Sequence, residues 1–196
     1  MGYRSEASFD VIALAASAGG LNALSSILSP FPSDFPCAFA VIQHLDPRHE
    51  SLMATILSRR TALRVTQAEQ GDELAAGTVH IAPPNQHLLV HADGSLALTQ
   101  TELVHFVRPS ADLLFESVAA SYRERAIAVV LSGTGSDGSM GVRAIKKMGG
   151  TVIAQDRAAE FFGMPAAAIE TGDVDFVLAL EEIPSALMTL VQVPGR

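Results

Sequence analysis

Residues 10–28 read DVIALAASAGGLNALSSIL, and the change of pattern inside that stretch decides the fold. Asp10–Ala16 is a short apolar run suited to a buried strand, whereas Leu21–Leu28 carries its apolar residues at helical period. Between them, Ser17-Ala18-Gly19-Gly20 supplies small residues that let the chain turn sharply. A strand that feeds straight into a helix is the opening half of a crossover between parallel strands.

The same change recurs down the chain. Ala38–Gln43 (AFAVIQ) reads as a second strand, followed by a helix near Glu50–Arg60. Ser110–Arg123 reads as helix, Ile127–Leu131 as strand, Ser139–Lys147 as helix and Thr151–Ala154 as strand. A short helix after Pro165, a strand near Asp175–Leu178 and a helix from Pro184 complete the series. The middle differs: Thr78–Ala82, His87–His91 and Ser95–Thr99 are short strand candidates separated by turn residues. The expected fold is therefore α/β: a doubly wound, largely parallel sheet with helices on both faces and an antiparallel hairpin appended. Residues 1–9 are expected to be a flexible N-terminal extension and residues 10–192 a single catalytic domain.

Bulk properties narrow the function. The 196 residues suffice for one domain with its own core. A net charge of −8 argues against a duplex-DNA binder, which needs clustered positive charge to displace counterions. Cys37 is the sole cysteine, so neither an intramolecular disulfide nor a Cys-rich zinc site is available; its apolar surroundings suit a buried side chain. No secretory leader and no apolar stretch of bilayer length stands out, so a cytoplasmic location without membrane insertion is expected.

In open α/β sheets, ligands gather outside the carboxyl ends of the strands. Three such ends carry chemistry here. The first presents Ser17 just before a helix, whose amides suit an oxyanion; a tight turn or phosphate cradle would use similar residues. The second presents His44, a residue suited to general-base work near neutral pH. The third, after IAVVL, runs through Ser132-Gly133-Thr134-Gly135-Ser136-Asp137, placing Asp137 to accept the Nδ1 proton of His44 or to cap the helix that follows. Together they suggest a Ser-His-Asp triad, recognised by geometry and not by order in the chain.

These segments also resemble a known family. ASAGGLNAL, VIQHLDPRHESLM, IAPPNQHLLV, RPSADLLFESVA, VVLSGTGSDGSMGVRAIKKMGG and FFGMPAAAIETG are similar, in that order, to the catalytic domain of CheB-type chemotaxis methylesterases. The resemblance implies Ser17 as nucleophile, His44 as base and Asp137 as its partner. It implies hydrolysis of glutamate methyl esters on the cytoplasmic helices of chemotaxis receptors, releasing methanol, with deamidation of receptor glutamines as a second activity. No cofactor or metal is implied. The amides of Ala18 and Thr134 are expected to form the oxyanion hole, with Gly19, Gly20, Arg108 and Met164 lining the site. Ala18 stands where threonine is common in two-domain members, and Thr134 where methionine is common. The ASAGG and HLDPRHESL forms are more similar to variants fused to, or paired with, a receptor methyltransferase. No phosphoacceptor receiver domain is expected ahead of Asp10, which leaves a receptor methyltransferase or a separate response regulator as the implied partner.

Two other classes compete. A metal hydrolase would need ligands among the six histidines, but His87 and His91, four apart on a strand, would lie about 13 Å from each other. His49, His80 and His105 show no ligand spacing. A non-catalytic sensory or partner-binding module of the same fold is the other alternative.

Overall fold

The computed structural model describes residues 9–45, 48 and 51–191. The N-terminal extension lies outside the described residues except for Phe9, as do Asp46, Pro47, His49 and Glu50. The chain runs β1 (Val11–Ala16), α1 (Gly20–Leu28), β2 (Ala38–Gln43), α2 (Met53–Ser58), β3 (Arg64–Gln67), β4 (Thr78–Ile81), β5 (His87–Val90), β6 (Leu96–Thr99) and α3 (Ala111–Tyr122). A 3₁₀ turn at Arg123–Arg125 leads to β7 (Ala126–Val130), α4 (Ser139–Lys147), β8 (Thr151–Gln155), α5 (Gly163–Glu170), β9 (Phe176–Leu178) and α6 (Ile183–Val191).

Seven strands form one sheet in the order β3-β4-β2-β1-β7-β8-β9, and every pairing is parallel. From β1 the chain winds outward on one side through β2, and from β7 it winds outward on the other. The crevice between β1 and β7 is therefore the point where the winding reverses, the usual ligand position in this architecture.

Alternation along β1 explains the two layers. Ile12, Leu14 and Ala16 face a core built with α1, α2 and α6, including a cluster of Phe31, Phe35 and Phe39 whose ring centroids lie 4.5–5.7 Å apart. Val11, Ala13 and Ala15 face the opposite layer of α3, α4, α5 and the β5–β6 hairpin. Both faces of β1 are covered and all its residues are buried, as expected of a central parallel strand.

The structure departs from the sequence expectations in three places. Thr78–Ile81 joins the main sheet as a parallel strand, so only β5 and β6 form the hairpin, as a separate two-stranded sheet. The half-exposed edge strand β3 is not expected from the sequence: Arg64–Gln67 lacks the apolar run that marks a buried strand. Helix α2 is shorter than expected and spans only Met53–Ser58. Cys37 is buried, its thiol pushed up to about 12 chiefly by burial and then by Asp10.

Candidate active site

Parallel pairing places Ser17 and His44 side by side. β1 and β2 end in register at Ala16 and Gln43, and the His44 amide adds one more rung to the Ala16 carbonyl at 3.1 Å. Ser17 and His44 are thus the next residues on neighbouring strands, whose spacing is about 4.8 Å. The Ser17 amide turns the other way, to the Ser132 carbonyl beyond β7 at 2.9 Å. Ser17 is half-buried, and among the described residues its hydroxyl makes no hydrogen bond. Catalytic contacts are often loose in ligand-free sites and tighten when substrate arrives.

His44 is oriented by Asp137. Its Nε2 lies 2.8 Å from Asp137 Oδ2, with the two side chains 13% and 4% exposed. The sequence reading assigned this contact to Nδ1; the structure corrects it to Nε2. The proton on Nε2 faces the carboxylate, which leaves Nδ1 as the free basic nitrogen of the neutral ring.

Asp137 also caps a helix, though not the one that follows it. Its Oδ2 accepts from the Ala111 amide at 2.6 Å, and its Oδ1 from the Asp112 amide at 3.1 Å and the Ser110 hydroxyl at 2.9 Å. These are first-turn donors of α3, where a negative charge is favoured by the helix dipole. Helix α4 has Gly138 at its N-cap and, among the described residues, no side-chain cap. Burial is the largest single influence on Asp137 and opposes its charge, but hydrogen bonds from His44 and the α3 amides hold its carboxyl below the ordinary value. Its neighbour Asp112 is pushed up, first by burial, while one of its oxygens accepts from the Gly141 amide at 2.8 Å.

The loop after β7 brings the remaining parts together. Ser132 Oγ donates to the Ala18 carbonyl at 2.8 Å and accepts from the Phe161 amide at 3.0 Å. A Cβ on Gly133 would fall 2.9 Å from Ser17 Cβ and 2.4 Å from Met164 Sδ, so only glycine lets this loop run alongside the serine. Gly19 has φ 74°, and a side chain there would meet Ser132 Oγ at 2.8 Å. Among the described residues, the Ala18 and Thr134 amides have no hydrogen-bond acceptor, which suits the oxyanion role expected of them. Gly19, Gly20 and Met164 all lie at this junction.

Arg108 does something else. Its guanidinium grips Asn85 Oδ1 at 2.7 and 3.0 Å and the carbonyls of Gln100 and Thr101, which fixes the segment leading to Ser110. An open cleft of about 590 Å³ extends from Ser17 past Gly20, Gln43 and Leu45 toward α2. Its rim includes Leu52, which is 64% exposed, and Glu160.

Three contributors escaped the sequence reading. Ser110 opens the helix expected at Ser110–Arg123, but its bond to Asp137 joins positions far apart in the chain. His87 is fully buried: its Nδ1 accepts from the Ser110 amide at 3.1 Å and its Nε2 donates to the Glu102 carbonyl at 3.0 Å. His87→Phe leaves the Ser110 amide unpaired, at a cost of about 1–3 kcal/mol. Thermal denaturation should show a Tm lower by about 2–4 °C for each kcal/mol lost. The third contributor, Gln43, lines the cleft beside Ser17.

Comparison with known proteins identifies the family and the fold. The family model described as CheB methylesterase matches residues 12–187. A Leptospira interrogans relative is 38% identical over 185 residues, covering 94% of this chain and 96% of its own length. The protein-glutamate methylesterase FrzG of Myxococcus xanthus is 41% identical; the match covers 94% of this chain and 56% of that protein. The crystal structure of the Thermotoga maritima CheB methylesterase catalytic domain superimposes with a TM-score of 0.90 at 37% identity, covering 94% of this chain and 100% of that one.

Proposed function

The chain belongs to the CheB methylesterase family, and from that premise we propose that it hydrolyses glutamate methyl esters on a receptor protein, with Ser17 as nucleophile. The observation that carries the proposal is the His44–Asp137 contact of 2.8 Å beside a serine at the neighbouring strand end.

The chemistry follows from the placement. Nδ1 of His44 takes the Ser17 proton as Oγ bonds to the ester carbonyl carbon, and the Ala18 and Thr134 amides receive the oxyanion. Asp137 stabilises the imidazolium through Nε2. The carbon–methoxy bond then breaks, and the His44 proton leaves with methoxide as methanol. Water, deprotonated by the same nitrogen, attacks the acyl-enzyme and frees the glutamate carboxylate and the Ser17 hydroxyl. A glutamine amide can enter the same path, with ammonia leaving in place of methanol. This fits the glutaminase activity that the names of several relatives carry.

The substrate proposed is a methylated chemoreceptor, reached at its cytoplasmic helices. A receptor methyltransferase or a separate response regulator is the proposed partner, and the cytoplasm the proposed location. Among the described residues no helix is long and apolar enough to cross a membrane.

Methanol release from a receptor cytoplasmic fragment carrying glutamate methyl esters tests the reading. Stoichiometric methanol with recovery of free glutamate is the expected result. No methanol, from protein that a fluorophosphonate still labels, would leave a hydrolase with a different substrate.

A further inference from the structure

We propose that Gln43 is a positioning residue that sets the spacing of Ser17 and His44, an inference that rests on the hydrolase reading above. The backbone does not fix that spacing alone. The last β1–β2 rung is His44 N to Ala16 O, and the next amide, Ser17 N, bonds toward β7. Beyond this rung the cross-link is made by a side chain. Gln43 Nε2 donates to the Ser17 carbonyl at 2.7 Å and to the His44 carbonyl at 3.0 Å, joining the nucleophile's backbone to the base's.

The amide orientation is dictated by its surroundings. Both partners are carbonyl oxygens, so only the NH₂ group can face them. Oε1 must then point away, and it lies buried without a hydrogen-bond partner among the described residues. It packs over Gly20, where an added Cβ would fall 1.9 Å from it. An orphaned buried acceptor is unfavourable, and native proteins hold few of them. Here the loss on Oε1 accompanies two bonds that a donor group alone can make. Gln43 is 5% exposed and lies on the wall of the cleft beside Ser17, so its place is structurally fixed.

Two substitutions separate positioning from general packing. Gln43→Met keeps the side chain's length and removes both donors. Gln43→Glu keeps the shape and, while protonated, can donate to one carbonyl; once ionised it donates to neither and faces two carbonyl oxygens. The rate of Ser17 phosphonylation by a fluorophosphonate is measured across pH for both variants, with Ser17→Ala as control. Wild-type labelling that is absent from the control establishes the parent reading; labelling that persists in the control overturns that reading separately.

Given Ser17 labelling, Gln43→Met should react about 10- to 100-fold more slowly at every pH, the cost of a small misplacement of reacting groups. Gln43→Glu should be intermediate in acid and fall to the Gln43→Met rate as pH rises, a descending limb absent from wild type. The nearby titratable groups His44, Asp137 and Glu160 are common to both proteins, so the difference between profiles belongs to position 43. A Gln43→Met rate within twofold of wild type, or a Gln43→Glu profile parallel to wild type, would overturn the proposal. If Gln43→Met fails to fold, the Gln43→Glu profile decides on the same terms.

Discussion

Ser17→Ala is expected to lower kcat/KM for glutamate methyl ester hydrolysis by about 10⁴-fold or more, because the covalent route is lost outright. What remains is binding and whatever the Ala18 and Thr134 amides contribute to direct attack by water. The fold should not notice. Ser17 is held through its backbone, by its amide to Ser132 and its carbonyl to Gly20 and Gln43, while its hydroxyl has no partner among the described residues. Thermal denaturation should therefore give a stability within about 0.5 kcal/mol of wild type. Loss of activity with an unchanged Tm is the signature of a nucleophile; loss of both would assign Ser17 a structural role.

Asp137→Asn should be nearly as damaging to turnover, and unlike Ser17→Ala it should also destabilise the protein. An amide oxygen at this position can still accept, but its NH₂ must take the place either of Oδ2, which faces both His44 Nε2 and the Ala111 amide, or of Oδ1, which faces the Ser110 hydroxyl and the Asp112 amide. If it faces His44, the ring must present an acceptor there, and the Nδ1 base is lost with the tautomer. The expected drop in kcat is about 10⁴-fold, the scale seen when a triad aspartate is neutralised. With the NH₂ in the Oδ2 place the Ala111 amide is orphaned as well, and in the Oδ1 place the Asp112 amide is, at a cost of about 1–3 kcal/mol. Acid should narrow the difference between the two proteins. In wild type the Asp137 carboxyl is held below its ordinary value, so its contribution is fully present above the unfolded value near 3.9. That contribution fades as pH falls through the lower native value. Denaturant midpoints should therefore separate at neutral pH and converge in strong acid.

Much of this was legible in the sequence, because parallel α/β folds write themselves in local patterns. Val11–Ala16 and Ala38–Gln43 are continuous apolar runs since both faces of their strands are covered. Each ends one residue before a candidate for the chemistry, which is how strand ends point to Ser17 and His44. Strand β3 was hidden for the opposite reason: Arg64–Gln67 lies at the sheet edge, half-exposed, and has no buried face to print an apolar signal. The role of Thr78–Ile81 turned on strand order, which local pattern does not encode. The carboxylate that His44 meets through Nε2 is held by the first turn of α3, across a separation of 26 residues that local pattern does not encode. Gln43 reads as the last residue of a strand, and only the register of β1 against β2 shows what its amide joins.

Ser17 is the proposed nucleophile, and peptide mapping after reaction with a fluorophosphonate tests that assignment. A single adduct on the peptide containing Ser17, formed by wild type and greatly slowed in a His44→Ala variant, is the expected result. An adduct on another residue, or equal labelling of Ser17 without His44, would contradict it.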